Sequence, residues 1–472
     1  MSRALLCLLA FACCLGDAHA QETAELHGKL ALLHLAGLTA EDAQHARFLS
    51  LYNVPTGNED EWREFLEWWM MQLSFSPSPM RLGKVDPKGR LLVFDIRELR
   101  WNRQAWAKVN DRDPYMAEPA IGNQTAYRIR ELTEHHQNRF GVGAIMRADF
   151  FVRDTMEGER SQSYYDLLYS EQRFVQGKKN FPENETDWND AHGITATDEF
   201  LRKASLYVDH GAISPGMLDD PKGSIVTKSN RVLWFRPTPV GVAMKSFDTD
   251  TTSGETDYLE KSGDVSQGRI KFKAGELLAT LPGGGQAALL IDGKGKRLEL
   301  AGSQFATNTL DAKYSDVRTP MSCIQCHAPE HGLIQPRNLV DEIGKAGIET
   351  KFYDKVQAIR YKQFFLGWEK KTKVWQMPGQ ALAEQIGKRT AAQHARKLIE
   401  IRDAYDAPVT TETAAREVGV PLEQFKVAAS YSPGVRLQHL LQGKPIPRAT
   451  WEKDTYTEAA RLLAVDVTKK GK

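Results

Sequence analysis

Met321-Ser322-Cys323-Ile324-Gln325-Cys326-His327 is the stretch that decides how this chain is read. Two cysteines three residues apart, with histidine directly after the second, form the attachment signature of a c-type haem. The spacing has a mechanical reason. On a helical turn Cys323 and Cys326 are i and i+3, and His327 is i+4 from the first, so all three share one face. Two thioethers then grip the porphyrin vinyl groups while the imidazole takes the iron from the proximal side. Pro320 and Ser322 are expected to start such a turn, with the Ser322 hydroxyl as cap.

Two other chemistries use cysteine pairs. A zinc site here would take Cys323, Cys326, His327 and His331, yet zinc ligand pairs usually stand a dozen or more residues apart. A redox dithiol should open a helix after a buried strand, and Ser315-Asp316-Val317-Arg318-Thr319 is not an apolar strand.

The start of the chain supplies the context. Arg3, the apolar run Ala4 to Leu15 and Ala18-His19-Ala20 have the pattern of a secretory signal peptide over residues 1–20. Ala10-Phe11-Ala12 fits poorly the sequence that would precede a lipid-anchored Cys13 or Cys14. Of five cysteines, Cys7, Cys13 and Cys14 lie in this leader, and the two that follow it are Cys323 and Cys326. An exported chain with two cysteines is not a disulfide scaffold. The expected compartment is the periplasm, where glycosylation acceptors such as Asn123 and Asn184 carry no meaning.

Composition narrows the classes. Across 472 residues, 62 Lys+Arg balance 61 Asp+Glu for a net charge of +1, which gives no footing for nucleic acid. Hydrophobic residues are 41% and charged residues 26%, and mean hydropathy is −0.46, so no integral membrane span is expected. There is no phosphate-binding glycine loop, no dinucleotide fingerprint and no serine nucleophile elbow.

The expected fold class is α+β and multi-domain. Residues 21–205 read as a mixed helix/strand domain, 206–318 as a β-rich domain, and 319–472 as a helical haem-binding domain. Residues 21–50 read as helix. So do 59–73, where Trp62, Phe65, Leu66, Trp69 and Leu73 recur at helical spacing. Leu91 to Ile96 reads as a buried strand, a helix follows Asn102, 125–140 is helical, and 176–198 is a polar loop. Strands are expected at 231–235 and 240–247. A surface loop from Thr249 to Gly268 leads to a meander at 276–281, 286–291 and 296–300, with Pro282-Gly283-Gly284-Gly285 and Gly293-Lys294-Gly295 as turns. Helices are expected at 349–367, 380–403, 410–418, 421–430 and 447–464. The haem helix is expected against the 275–301 meander and the C-terminal helices.

For the sixth position on the iron the candidate is Met377. It lies fifty residues beyond His327 and runs into Pro378-Gly379 ahead of a helix. A thioether sulfur raises the potential of a His-ligated iron. Met244, His394 and His439 remain open, and a plain hydrophobic role for Met377 stands beside the ligand role. Glu131 and His135 are helix neighbours at i,i+4, read as a solvated face. His192 and His210, each with an aspartate nearby in sequence (Asp190, Asp209), are placed in loops without a catalytic role.

Beyond the motif, Gly89 to Trp101 with Asp113-Pro114-Tyr115 resembles a segment of large secreted cytochrome c-like proteins of planctomycetes and proteobacteria. The order continues through Arg147 to Val152, Tyr164 to Leu168, Met244 to Asp248, Gly275 to Gly285, Met321 to His327 and Ala414 to Val420. Met244 and Pro282-Gly283-Gly284-Gly285 stand where relatives tend to have an aromatic and a Pro-Asn-Gly turn. The resemblance implies Cys323 and Cys326 as haem attachment and His327 as proximal ligand, and it implies no substrate. The function expected is electron transfer by one covalent haem c, with a periplasmic redox protein as partner. The alternatives are a haem enzyme, peroxidase- or oxygenase-like, with an open distal site and a small-molecule substrate, or a haem-based sensor or binding protein.

Overall fold

The computed structural model describes residues 24–115, 144–157, 162–171, 181–194, 229–252, 272–302, 313–327 and 379–469, with Asn308 and Asp311. The expected signal peptide, the helices at 125–140 and 349–367, and Glu131, His135, His136, His210, His331 and Met377 lie outside these residues.

The chain opens with α1 (Ala24–Ala36) and α2 (Ala40–His45). Thr39 starts α2, its hydroxyl accepting from the Asp42 N–H at 3.1 Å. Ala46–Ser50 is then a strand, β1, rather than the helix expected across 21–50. The reason is its neighbours. β1 pairs antiparallel with β3 (Leu91–Asp95) and parallel with β4 (Ile145–Arg147), and β2 (Gly83–Lys84) completes the order β2-β3-β1-β4. All five residues of β1, Arg47 and Ser50 included, are buried, so burial does not alternate along it.

Between β1 and β2 lies α3 (Glu59–Met71). Glu59, Asp60 and Glu61 suit the positive end of its dipole. Trp62, Phe65, Leu66 and Trp69 are buried as the periodicity requires, and so are Trp68, Met70 and Met71. Asn102 caps α4 (Arg103–Asn110), accepting from the Ala105 N–H at 2.8 Å. Two buried helices follow β4, α5 (Ala148–Thr155) and α6 (Ser163–Leu168). The polar stretch 176–198 contains a further helix, α7 (Glu185–Ala191), where Asn184 caps the N-terminus and Trp188 is driven inside.

The second sheet is one antiparallel meander in sequence order. Its strands are β5 (Ser229–Thr238), β6 (Gly241–Thr252), β7 (Phe272–Thr280), β8 (Gln286–Asp292) and β9 (Arg297–Leu298). The two expected strand groups are therefore one sheet. β6 also runs on through Thr252, into the stretch expected as a loop, because β5 pairs with it as far as Ser229↔Thr252 and β7 as far as Thr249↔Phe272.

A short pair, β10 (Leu300–Ala301) and β11 (Val317–Arg318), leads into α8 (Met321–His327). After it come α9 (Gln380–Ile386) and α10 (Ala391–Asp406). The single helix expected over 380–403 is broken at Gly387, where an added Cβ would lie 2.4 Å from the Glu64 carboxyl carbon. Thr390 restarts it with a capping box to Gln393. Then follow α11 (Thr411–Glu417), α12 (Leu422–Ser430) and α13 (Val435–Leu441), which the sequence reading lacked. The last segment is α14 (Arg448–Thr450), a π turn at Trp451–Thr455 and α15 (Tyr456–Lys469).

One hydrophobic cluster takes in Trp69, Tyr164, Leu289, Ile324, Leu398 and Trp451, so it crosses both expected boundaries, near 206 and 319. Among the described residues no helix is long and apolar enough to cross a membrane. The tip of the β7–β8 hairpin is wedged against α3: a Cβ on Gly285 would lie 2.6 Å from the Met71 carbonyl oxygen. That oxygen belongs to helix backbone and cannot yield cheaply. Gly285→Ala is therefore expected to destabilise the protein by about 1–3 kcal/mol. A lowered denaturation midpoint in urea would show this.

Two buried histidines set a pH dependence. His27 accepts or donates at Nδ1 to Ser50 Oγ at 2.6 Å, and burial pushes its pKa down to about 4. His192 is not in an open loop: it is buried with Nε2 3.0 Å from Tyr169 Oη, and burial pushes it down to about 3. Both stay neutral when folded but protonate near 6.5 when unfolded. Below 6.5 the unfolded chain binds more protons, so stability falls as pH falls, by about 1.4 kcal/mol per pH unit for each group. Thermal unfolding at pH 7 and pH 5 should show a lower Tm at pH 5, and His192→Gln should flatten the difference.

Candidate haem-attachment site

The site is built around α8. The chain enters it through the cis Thr319–Pro320 peptide, and the Pro320 carbonyl accepts from the Ile324 N–H at 2.9 Å. Pro320 thus stands at the helix start, as its missing N–H permits. Ser322 lies within the first turn and does not cap it. Its hydroxyl accepts from the Arg318 N–H at 2.9 Å and from Asn308 Nδ2 at 3.2 Å. Asn308 Nδ2 also donates to Gln325 Oε1 at 3.1 Å, which fixes the polar side of α8.

The apolar side anchors the helix. Met321 and Ile324, at i and i+3, join the main hydrophobic cluster. Met321 Sδ is 3.7 Å from Arg402 Nη1 of α10, and that guanidinium is paired with the buried Asp311 carboxylate. Residues of α10 and of the 300–320 connection therefore hold the motif from behind.

Cys323 and His327, one turn apart, are 1% and 4% exposed, and Cys326 sits at the half-buried edge. No disulfide joins the two cysteines. Cys323 and His327 share a neighbour in Glu276 of β7, whose Oε2 is 3.7 Å from His327 Nε2. Burial, and then the Glu276 carboxylate, raises the Cys323 thiol pKa well above its ordinary value. Among the described residues there is no group of three or more His, Cys, Asp or Glu able to hold a metal ion.

The far wall comes from the N-terminal part of the chain. The Tyr164 and Tyr165 phenols of α6 lie near Cys323, and Tyr164 Oη accepts from the Ala288 N–H of β8 at 2.9 Å. The motif therefore meets the meander and α10, as expected, and also meets α6, which was not expected. Glu276 and the two tyrosines were missed in the sequence. A signal existed for the first: a glutamate within the apolar strand Ala274–Ala279 is out of place unless it has a buried task.

These residues fit a covalent haem. Two cysteines not in a disulfide and an imidazole share one short helix, as thioether attachment and proximal ligation require. Gln325 Nε2 is buried without a partner, a donor of the kind a porphyrin carboxylate takes. For His327 Nε2 to reach iron, the Glu276 carboxylate must release its present contact.

The candidates for the opposite side of the iron are distributed as follows. Met244 is buried in β6, in register with Leu278 of β7. His439 is exposed on α13. His394 is fully buried on α10 and stacks on Trp68, with ring centroids 5.2 Å apart and planes 20° apart. Burial lowers its pKa to about 4, so the ring is neutral. Comparison with protein-family models, with curated proteins and with solved structures finds no match to this chain.

Proposed function

We propose that the chain is an exported, periplasmic monohaem c-type cytochrome protein that transfers electrons. Haem c is attached through Cys323 and Cys326, with His327 as proximal ligand. The observation that carries the reading is the local one: Cys323-Ile324-Gln325-Cys326-His327 forms one helix whose Cys323–His327 face is buried. When bound, the haem supplies a reversible one-electron couple.

The chain's own residues would do the rest. Cys323 would hold the haem as a thioether to one vinyl group, its S–H hydrogen going to the neighbouring vinyl carbon. Cys326 would hold the second vinyl in the same way. Asn308 and Ser322 hold α8 by hydrogen bonds, so that His327 has a fixed backbone from which to reach the iron. Tyr164, Tyr165 and β8 exclude water from the Cys323 side. A buried, dry edge lowers the reorganisation that accompanies electron transfer and lets nearby charges set the potential.

Two outcomes check this reading. The protein produced in a host that matures c-type haem should keep its haem stain after denaturation and acid-acetone extraction. Cys323→Ala or Cys326→Ala should each leave one thioether and markedly less holoprotein. Loss of all haem from the unaltered protein during extraction would end the proposal. The second outcome concerns Glu276. A buried negative charge beside the proximal histidine favours the ferric state. Glu276→Gln should raise the midpoint potential by on the order of tens of millivolts, measured by spectroelectrochemical titration.

A further inference from the structure

The register of the second sheet decides which side chains face the haem motif. Residues directly opposite in an antiparallel pair point to the same face, and every second residue along a strand returns to it. Ser246 of β6 pairs with Glu276 of β7, and Glu276 pairs with Leu290 of β8, so these three form one row. Met244, Leu278 and Ala288 form the next row on that face, and Thr280 with Gln286 the row after it. The opposite face carries Ala243, Leu277, Ala279, Ala287 and Leu289, which belong to the main hydrophobic cluster. It is the first face that meets the Cys323–His327 side of α8, since Glu276 Oε2 is 3.7 Å from His327 Nε2. Met244 stands diagonal to Glu276, two residues before Ser246 on β6, a separation of about 7–8 Å.

Met244 is also set apart by its chemistry. A thioether on an unbranched side chain turns about three bonds and is a soft iron ligand. Leu278 and Ala288, beside it in the row, are fully buried and carry no atom that binds iron. Among the described residues the other methionines, Met70, Met71, Met80, Met146, Met156 and Met321, all belong to the main cluster, and Met244 does not. The same face continues to Gln286, which is 2% exposed and has no hydrogen-bond partner at either end of its amide. It lies four residues along β8 from Leu290, about 14 Å at the rise of a strand. A buried amide in that position calls for a polar partner, and a porphyrin carboxylate is an acceptor of the right kind. Outward from His327, one sheet face therefore offers a thioether and then a free amide, separated by apolar floor.

We propose that Met244 is the second axial ligand of the haem iron, opposite His327. The inference rests on the haem reading above, and it gives the distal role to Met244 in place of Met377. It asks the Glu276 side chain to turn away from His327, the same release that proximal ligation needs.

The test uses full-length holoprotein. The unaltered ferric protein should be low-spin with a methionine-to-iron charge-transfer band, and the reduced protein should refuse carbon monoxide. Met244→Leu keeps the volume of the side chain without its sulfur, so it should lose the band and admit carbon monoxide. Met244→His should be low-spin without the band, at a lower midpoint potential. Met377→Ala should keep the band. Covalent haem whose methionine band survives in either Met244 variant would overturn the assignment while leaving the haem reading intact. So would loss of the band in Met377→Ala, or an unaltered holoprotein that lacks the band. Absence of covalent haem from the unaltered protein would overturn both.

Discussion

At the tip of the β7–β8 hairpin three distant parts of the chain meet with no space for a side chain. The Gly379 N–H donates to the Gly284 carbonyl at 2.9 Å, and the Gln286 N–H donates to Gln72 Oε1 of α3 at 2.8 Å. Gly284 turns with φ +87°, and Cβ atoms on Gly283 or Gly285 would collide with Ser76 or Met71 backbone oxygens. Glycine is needed here for both reasons, backbone conformation and close approach. The consequence reaches the site along the hairpin. Up the strand from this tip, β7 places Glu276 against α8. At the tip itself, Gly379 fixes the Trp68 indole on which His394 rests.

A second constraint ties the chain's ends together, and it is ionic. Arg147 donates to Asp149 at 2.6 Å and lies 3.3 Å from Glu417, while Glu417 accepts from Arg448 and from Trp451 Nε1, each at 2.7 Å. Two cations and two anions are thus buried as a neutral set. Tyr115 closes it, its ring 3.7 Å beneath the Arg147 guanidinium and its hydroxyl 3.0 Å from Arg448. Such networks cost desolvation, so they stabilise little against an apolar substitute. Removing one member strands a buried charge, at about 3–5 kcal/mol. The set joins α11 and α14 to β4 and α5.

How much of this was legible in the sequence follows from how local each cause is. α3, β3, α4 and the hairpin could be read because their periodicity, caps and turns lie within a few residues. α8 could be read because its chemistry dictates its spacing. β1 could not, since its strand state depends on β3 and β4, which come later in the chain, and its five residues, Arg47 and Ser50 among them, are all buried and show no alternation. The break at Gly387 comes from Glu64, and the burial of His192 comes from Tyr169, Trp188 and Phe75. His394 was visible only as one open possibility. In sequence it is a polar residue beside Gln393, and its burial against Trp68 is visible only in the fold.

In the proposed reading, a single haem motif stands far along the chain. A small cytochrome wraps its cofactor with roughly 100 residues. Here the neighbours of α8 are drawn from α6, β7, the 300–320 connection and α10, so its surroundings are assembled from most of the described chain. Local pieces would each leave α8 half exposed, and a half-exposed haem edge would be governed by water. With walls from distant segments, the charges nearest His327 and Cys323 become chosen ones: Glu276 within reach, and Arg402 neutralised by Asp311. In a low-dielectric surround a carboxylate this near the motif acts strongly on the local potential. In the haem protein proposed above, the N-terminal region would act on the chemistry through what it excludes, with Tyr164 and Tyr165 on the side of α8 that carries Cys323.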